Sequence, residues 1–458
     1  MSDDSRAVAV SRVRPRLRRI AIVAFAVLLP LAAHSLWDYI EVRRLVRELE
    51  AIRAKGEPVT EAETAGGIHP QPSPQPGAAS YYLAGGMLAL GSSPWRALSP
   101  IRGWLGESNP DPGALEQLVA PVHELVRNSR DALSLADRAA ELPFDAFPAG
   151  TEYSYRMASV GALSELITAR TLSLSHSGDA DAAVGSVISG LQIRRALRDA
   201  PWMAPSGHQI HAVLSLTQPS PHALIRLQTA LEAEEAPGRQ REDFLRARAE
   251  YVETIWRRYY GADPSIPRFY TLPTRSVTET VLRPWFTHHA VDLLRLWAEL
   301  VHVASADWPE KTRRGADILA DNRREQQQPG LNVSPLLNRE VALSAFSEAV
   351  NATQLVVDRA SYVAVAIERF RRDRNDLPAT LSDLVPQYLR EVPEDPYSGR
   401  PLLFNPAAGT YTVYSVGPNR QDDLGNLGNF SPGSPGVQRR GVAPNRGADV
   451  GVRVLTSE

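Results

Sequence analysis

Apolar residues recur at spacings of three and four along most of this chain, the period of a helix that buries one face. Between about Ser80 and Ala200 three stretches carry it: GALEQLVAPVHELVRNSRDALSLADRAAEL, YRMASVGALSELITARTLSLSHSG and DADAAVGSVISGLQIRRALRDA. Each is bounded by Pro, Gly or Asp where a helix would start or stop. The second and third meet at Ser177-Gly178-Asp179, which predicts an antiparallel helical hairpin of roughly 45 residues. Further helices are expected over Pro219 to Glu235, Gly238 to Tyr260 and Thr278 to Asp307, with a proline-broken loop, GADPSIPRFYTLPTRS, between the last two. A longer apolar helix is expected from Leu336 to Asp373. Glu348, Asp358 and Arg359 interrupt it too often for a bilayer, so it reads as a buried core helix.

Only then does the period change. LPATLSDLVPQYL reads as a short helix with Thr380 and Asp383 placed as a capping box. EDPYSG is a turn, because Pro396 fixes one dihedral and Gly399 permits a positive one. PLLFNPAAGTYTVYSV follows as two strands around a loop at Asn405 to Gly409, and Tyr411, Val413 and Ser415 alternate with Thr412, Tyr414 and Val416. Two strands alone are marginal in water, so the hairpin must pack on the helix before it. The fold class is therefore mainly α, with a small carboxyl-terminal α+β module.

One segment departs from amphipathic patterning. IAIVAFAVLLPLAAHSLW, Ile20 to Trp37, is uncharged over 18 residues. As a helix it would rise about 27 Å, enough to cross a bilayer core. Arg6, Arg12, Arg14, Arg16, Arg18 and Arg19 precede it, while Asp38, Glu41, Arg43, Arg44, Arg47 and Glu48 follow with mixed charge. The positive-inside rule then places residues 1–19 in the cytoplasm and everything after the span outside it, as expected of a single-pass protein of a bacterial inner membrane. A cleaved signal peptide is the other reading, since Ala32 and Ala33 end the apolar run. Against it, the helical pattern continues without a break into DYIEVRRLVRELEAIRAKG.

The expected organisation is a basic arm over 1–19, a membrane helix over 20–37, a stalk and Pro-rich linker over 38–79, a helical body over 80–330, a long helix with the α+β module over 331–423, and a disordered Gly/Pro/Asn-rich tail over 424–458. Net charge is -2 over 458 residues, with no basic block of the kind that binds nucleic acid. Lysine occurs only at positions 55 and 311. The absence of cysteine rules out disulfides, thiolate metal sites and a cysteine nucleophile, and does not discriminate between compartments.

The order of parts from Ile367 to Asp423 resembles the globular head of type II secretion major pseudopilins. The matching positions are Pro378, Leu381, Leu384, Tyr388, Leu389, Val392, Pro393, Asp395, Pro396, Tyr397, Tyr414, Ser415 and Gly417. The stretch from Ile367 to Asp423 is about an eighth of the chain. The resemblance implies an association with a secretion or pilus-like apparatus. It also implies calcium in the last loop, where Asn419, Asp422 and Asp423 offer the oxygen ligands a hard cation prefers. This chain departs from the family at its amino terminus: RRIAIVAFAVLLPL has neither the cleavage glycine nor the glutamate, and some 330 residues separate the apolar helix from the module. Polymerisation into a pseudopilus is therefore not expected. The helical hairpin, with GDADAAV at its turn, is similar to tetratricopeptide-type helix pairs, but lacks a 34-residue period.

Candidate chemistry is sparse. His289/Asp292 and Glu299/His302 form two i, i+3 pairs, and Glu-x-x-His is an element of di-iron bundles. On a helical wheel, however, Asp292, Glu299 and His302 fall opposite Leu293, Leu294, Trp297, Leu300 and Val301, so a solvated stripe is expected. His208 and His211 form another such pair with no carboxylate near in sequence. Zinc-peptidase, Gly-x-Ser-x-Gly, Ser-x-x-Lys, phosphate-loop and dinucleotide motifs are absent. Tyr259, Tyr260, Arg268, Phe269 and Tyr270 form a candidate contact loop, because Tyr and Arg favour interface hot spots. The expected function is a non-enzymatic, membrane-anchored extracytoplasmic scaffold that binds other proteins. The alternative is an envelope hydrolase whose site is assembled from dispersed polar residues.

Overall fold

The computed structural model describes residues 4–60, 63, 77–105, 112–142, 153–196, 206–233, 245, 248–249, 252, 277–326, 352–427 and 449–456. It divides into two compact units, Met1–Gly67 with Phe244–His302 and Gly330–Ala342, and Ile68–Asp243 with Val303–Pro329 and Leu343–Glu458.

The first unit is built on α1 (Asp4–Ala54) and α10 (Val277–Ala304). Within α1, Ile22–Ala54 is long and apolar enough to cross a membrane. Its side chains from Ile22 to Leu36 are largely exposed, Phe25 to 66 %. The helix then changes character without a break. Asp38, Glu41, Leu45, Leu49 and Ile52, three or four apart, are buried, which is the stripe of a helix with a partner. Leu45, Leu49, Ile52 and Val59 form a core with Val252, Val291 and Leu294. Arg283 donates to Asp38, His288 Nδ1 lies 3.2 Å from Glu41 Oε1, and Arg295 donates to Glu48. These pairs are separated by 245, 247 and 247 residues in sequence. A near-constant offset means that α1 and α10 run parallel and in register. Residues 38–54, expected as a stalk, are thus one half of a packed helix pair. Arg248 is fully buried and donates to Glu57 Oε2 at 2.8 Å and to the Pro58 carbonyl at 3.1 Å.

The second unit begins with α2 (Ala78–Ser92), α3 (Pro94–Leu105), α4 (Pro112–Asn128), α5 (Arg130–Ala140) and α6 (Tyr153–His176) around one apolar cluster that includes Tyr82, Leu98, Val119, Val122, Leu163 and Leu166. The pattern expected as one helix through residue 142 is broken at Ser129 into α4 and α5. The crossing of α2 over α6 is so close that a Cβ at Gly86 would stand 2.3 Å from the Ser159 carbonyl oxygen. A three-residue turn with Gly178 at φ 77° joins α6 to α7 (Ala180–Ala196), and the Thr171 hydroxyl donates to Ser186 Oγ across the pair.

A second cluster gathers α7, α8 (Ser206–Leu216), α9 (Pro221–Glu232), α12 (Thr353–Arg374) and the sheet. Ser220 caps α9 by accepting from the Ala223 N–H, with Pro221 in the first turn, where its missing donor costs nothing. α11 (Glu310–Gln326) was not expected from the sequence. The described part of the predicted 336–373 helix is α12. Its buried residues begin at Val356 and are continuous from Val363 to Glu368, because it is covered by α8 and α9 on some sides and by the sheet on another. Asn375, left-handed at φ 56°, ends it.

The expected hairpin is β1 (Leu403–Ala407) and β2 (Thr410–Ser415), antiparallel with Phe404 opposite Val413. As predicted, it packs on the helix before it. Part of the expected disordered tail is also ordered: β3 (Val450–Leu455) pairs antiparallel with β2, Val452 opposite Val413, making β2 the central strand of three. The reason lies in VGVRVL, whose Val450, Val452 and Val454 are all buried and supply the apolar face that Gly/Pro/Asn composition around it masks. Residues 428–448 lie outside the described part.

Candidate functional site: the Asp395 turn and the loop after the central strand

Asp395 organises the carboxyl-terminal module. It is 2 % exposed. Its Oδ1 accepts from the Tyr397 N–H at 2.9 Å and the Ser415 hydroxyl at 2.6 Å, and its Oδ2 from the Ser398 hydroxyl at 2.7 Å and the Val416 N–H at 3.3 Å. The turn closes as the Asp395 N–H donates to the Arg400 carbonyl at 2.6 Å and the Gly399 N–H to the Asp395 carbonyl at 2.8 Å, with Gly399 at φ 70°. Ser415 Oγ in turn accepts from the Gly417 N–H at 3.0 Å. One carboxylate therefore ties the Asp-Pro-Tyr-Ser-Gly turn to the end of β2, which explains physically why those two short sequences occur together. Behind it, the buried Tyr411 hydroxyl donates to Glu368 Oε1 at 3.0 Å, and burial pushes the phenol far above its ordinary value.

The loop after β2 holds the predicted cation residues. Asn419 Nδ2 donates to Asp423 Oδ2 at 2.9 Å, and Asn419 Oδ1 accepts from the Gln421 N–H. Asp422 Oδ1 accepts from the Leu424 N–H at 2.8 Å and the Tyr414 hydroxyl at 3.2 Å. A fourth residue, unsuspected from sequence, joins them. Asp449, at the start of β3, accepts from the Asp423 N–H at 3.2 Å and the Gly425 N–H at 2.8 Å. Burial, reinforced by the carboxylates of Asp423 and Asp422, pushes Asp449 up to about 6 although the two N–H donors pull it down. The donor chemistry is that of a calcium loop, all oxygen and mostly carboxylate. Among the described residues no group of three or more His, Asp or Glu side chains is placed to hold a metal ion, a count that leaves out the asparagine and carbonyl oxygens calcium also takes. What these residues do in the structure is order the loop.

Comparison with known proteins finds no family model, curated protein or solved structure that matches this chain. The site must therefore be argued from its own geometry.

Asp292, Glu299 and His302 are exposed on α10 while Leu293, Leu294, Trp297, Leu300 and Val301 are buried, as the wheel predicted. His289 stands apart from that stripe and packs edge-on to Trp285, ring centroids 4.7 Å apart. His211 lies on α8, where burial and the charge of Arg453 bring it down to about 4; the side chain of His208 lies outside the described residues. So do Tyr259, Tyr260, Arg268, Phe269 and Tyr270, the candidate contact loop. A surface feature the sequence did not suggest is a groove of about 350 Å³ between α7 and α9, lined by Ile188, Leu191, Ile225 and Ala230 with Gln192, Arg226 and Thr229 as its polar members.

Proposed function

We propose that this protein is a membrane-anchored extracytoplasmic scaffold of the bacterial envelope that binds other proteins and serves a type II secretion or pilus-like apparatus. The observation that carries the anchoring is the change along α1: an exposed apolar stretch from Ile22 to Leu36, then a buried stripe from Asp38. A helix whose first part is mostly exposed among the described residues, touched by α10 where His34 meets the Val281 carbonyl, and whose second part buries a stripe against α10 is suited to stand in lipid and carry a folded unit at the boundary. The basic residues before the apolar stretch support a cytoplasmic amino terminus. Protein binding rests on the α7/α9 groove, which is open, mostly apolar and about 350 Å³ in volume, room for side chains of a partner peptide. The link to secretion rests on the pseudopilin-like turn and strand end joined through Asp395. The competing hydrolase reading draws no support from α10, whose His289, Glu299 and His302 do not converge on an enclosed site.

The test is affinity capture of the tagged, gently solubilised protein with mass spectrometry, alongside an Ile225→Asp/Ile188→Asp variant. Removing Pro378 to Asp423 is a poor control, because it takes away the central strand and leaves β3 unpaired. Secretion or pilus components recovered with the unsubstituted protein and lost with the groove variant are the expected result. The same set of proteins with both, or none with either, would sink the proposal.

A further inference from the structure

The second unit holds a chain of polar side chains that none of the readings above uses. On α4, Glu116 and His123 are seven residues apart and so share a face. On α6, Ser173 and His176 are three apart and meet them. Glu116 Oε2 lies 3.2 Å from His176 Nε2, His176 Nδ1 lies 3.3 Å from His123 Nε2, and His123 Nδ1 lies 2.6 Å from Ser173 Oγ. The two rings are inclined at 63° with centroids 5.4 Å apart.

Each histidine thus has one ring nitrogen held from outside and turns the other toward its neighbour. An ionised carboxylate only accepts, so Nε2 of His176 carries the proton and Nδ1 carries the lone pair. The Ser173 hydroxyl can accept as well as donate, which lets His123 keep its proton on Nδ1 and present a lone pair at Nε2. In that tautomer the two lone pairs face one another, and a cation between them is held by both. The spacing says what fits: two nitrogens about 2.05 Å from a tetrahedral ion stand about 3.3 Å apart. Outer ring nitrogens fixed by a carboxylate and a hydroxyl are the arrangement that orients metal-binding imidazoles. His176 also sits in the last turn of α6, where the helix dipole favours a cation.

We propose that His123 Nε2 and His176 Nδ1 bind a divalent transition-metal ion of the zinc class, with Glu116 and Ser173 orienting the two rings and water or a small anion completing the shell. Imidazole ligands select such ions over calcium or magnesium. Arg127 opposes the ion's charge, and Glu116 offsets it. With two protein ligands the site keeps open positions. The same four residues do not make an activated serine. Ser173 lies inside α6, and its carbonyl already accepts from both the N–H and the hydroxyl of Ser177. Helical N–H groups are spent on the helix's own bonds, and no oxyanion hole can be made of them.

The experiment is zinc titration by calorimetry at pH 7.5 on the full-length protein in detergent, stripped with chelator and carrying a histidine-free tag. The expected result is one site that is weakened at least about tenfold in His123→Gln and in His176→Ala, weakened by about 10- to 100-fold in Glu116→Gln, and unchanged in His302→Ala, whose side chain is exposed on α10. Circular dichroism checks the fold of each variant. His123→Gln preserves a neutral side chain of similar reach and remains informative if His176→Ala does not fold. Copper(II) bound to the unsubstituted protein should show imidazole nitrogen coupling by electron paramagnetic resonance, reduced in His123→Gln. No binding, or binding indifferent to both histidine substitutions, would leave only a hydrogen-bonded relay and overturn the proposal.

Discussion

His211 and Asp449 set up opposed pH dependences within one unit, and separating them tests the electrostatics of the carboxyl-terminal module. His211 is brought from its ordinary 6.5 to about 4 by burial and by Arg453 on β3. Its folded value lies below its unfolded one, so the unfolded chain binds the proton first. Stability from this group is complete above pH 6.5 and is lost as pH falls toward 4. At about 1.4 kcal/mol per pH unit, the loss amounts to about 3 kcal/mol. Asp449 is displaced the other way, from 3.8 to about 6. Its folded state holds a proton the unfolded chain has released, so stability is lost as pH rises from about 4 to 6, again by about 3 kcal/mol. The windows overlap and the slopes nearly cancel. The parent protein should therefore show little dependence from these two groups between pH 4 and 7, whereas each single variant should expose the other. Relative to the parent, His211→Gln should gain up to about 3 kcal/mol on going from pH 7 to 4, and Asp449→Asn should lose as much. Comparison at each pH removes the background of other carboxylates. The assay is urea unfolding across that pH range, read by a brief deuterium pulse at one fixed pH on peptides covering β2 and β3. Profiles of both variants that stay parallel to the parent's within about 1 kcal/mol would refute the opposition.

Asp395→Ala should cost about 3 to 5 kcal/mol, since it leaves two N–H groups and two hydroxyls without their buried acceptor, and Asp395→Asn about 1 to 3, since one N–H then faces an amide nitrogen; deuterium exchange of β2 peptides measures both, and a change under about 1 kcal/mol in the alanine variant would show that the turn does not depend on the carboxylate. Two glycines on α2 should respond in opposite senses. Gly86→Ala forces α2 off the Ser159 carbonyl and should destabilise by about 1 to 3 kcal/mol, while Gly91→Ala, with nothing within 4 Å of its Cβ, should stabilise by about 0.5 to 1 kcal/mol; equal effects in thermal melts would contradict the close crossing. Arg248→Ala should cost about 3 to 5 kcal/mol by removing a fully buried guanidinium together with its bonds to Glu57 and the Pro58 carbonyl, with the loss much smaller when Glu57→Ala is already present, as a double-mutant cycle on α1 exchange would show.

Where the signal was local, the sequence was a sufficient guide. The Thr380/Asp383 capping box, the EDPYSG turn and the β1–β2 hairpin each depend on residues within a dozen positions, and the structure has them all. The apolar run of α1 and the solvated stripe of α10 were legible for the same reason. What escaped was long-range. Nothing near Asp38, Glu41 or Glu48 says that their partners lie some 245 residues on, so the sequence alone reads as a stalk where the structure has a helix with a partner. The break at Ser129 escaped too, because the helical period runs straight through it.

The candidate sites divide in the same way, and the division has a physical cause. Asn419, Asp422 and Asp423 could be grouped from sequence because a loop brings neighbours together. Asp449 could not be added, because its place depends on β3 pairing with β2 across a stretch rich in Gly, Pro and Asn. Its short alternating valines were the one available sign that a strand was there. Glu116, His123, Ser173 and His176 were out of reach altogether. Each pair shares a face of its own helix, but the meeting of the two pairs is made by the packing of α4 on α6, which no local pattern encodes. A histidine in a mainly helical chain therefore tells little until the facing helix is known. Here the exposed His302, with a suggestive Glu-x-x-His, faces outward, while His123, with no motif around it, has a second imidazole 3.3 Å away. Sites assembled across helices in this way are the ones for which residue placement, and not residue spacing, decides the chemistry.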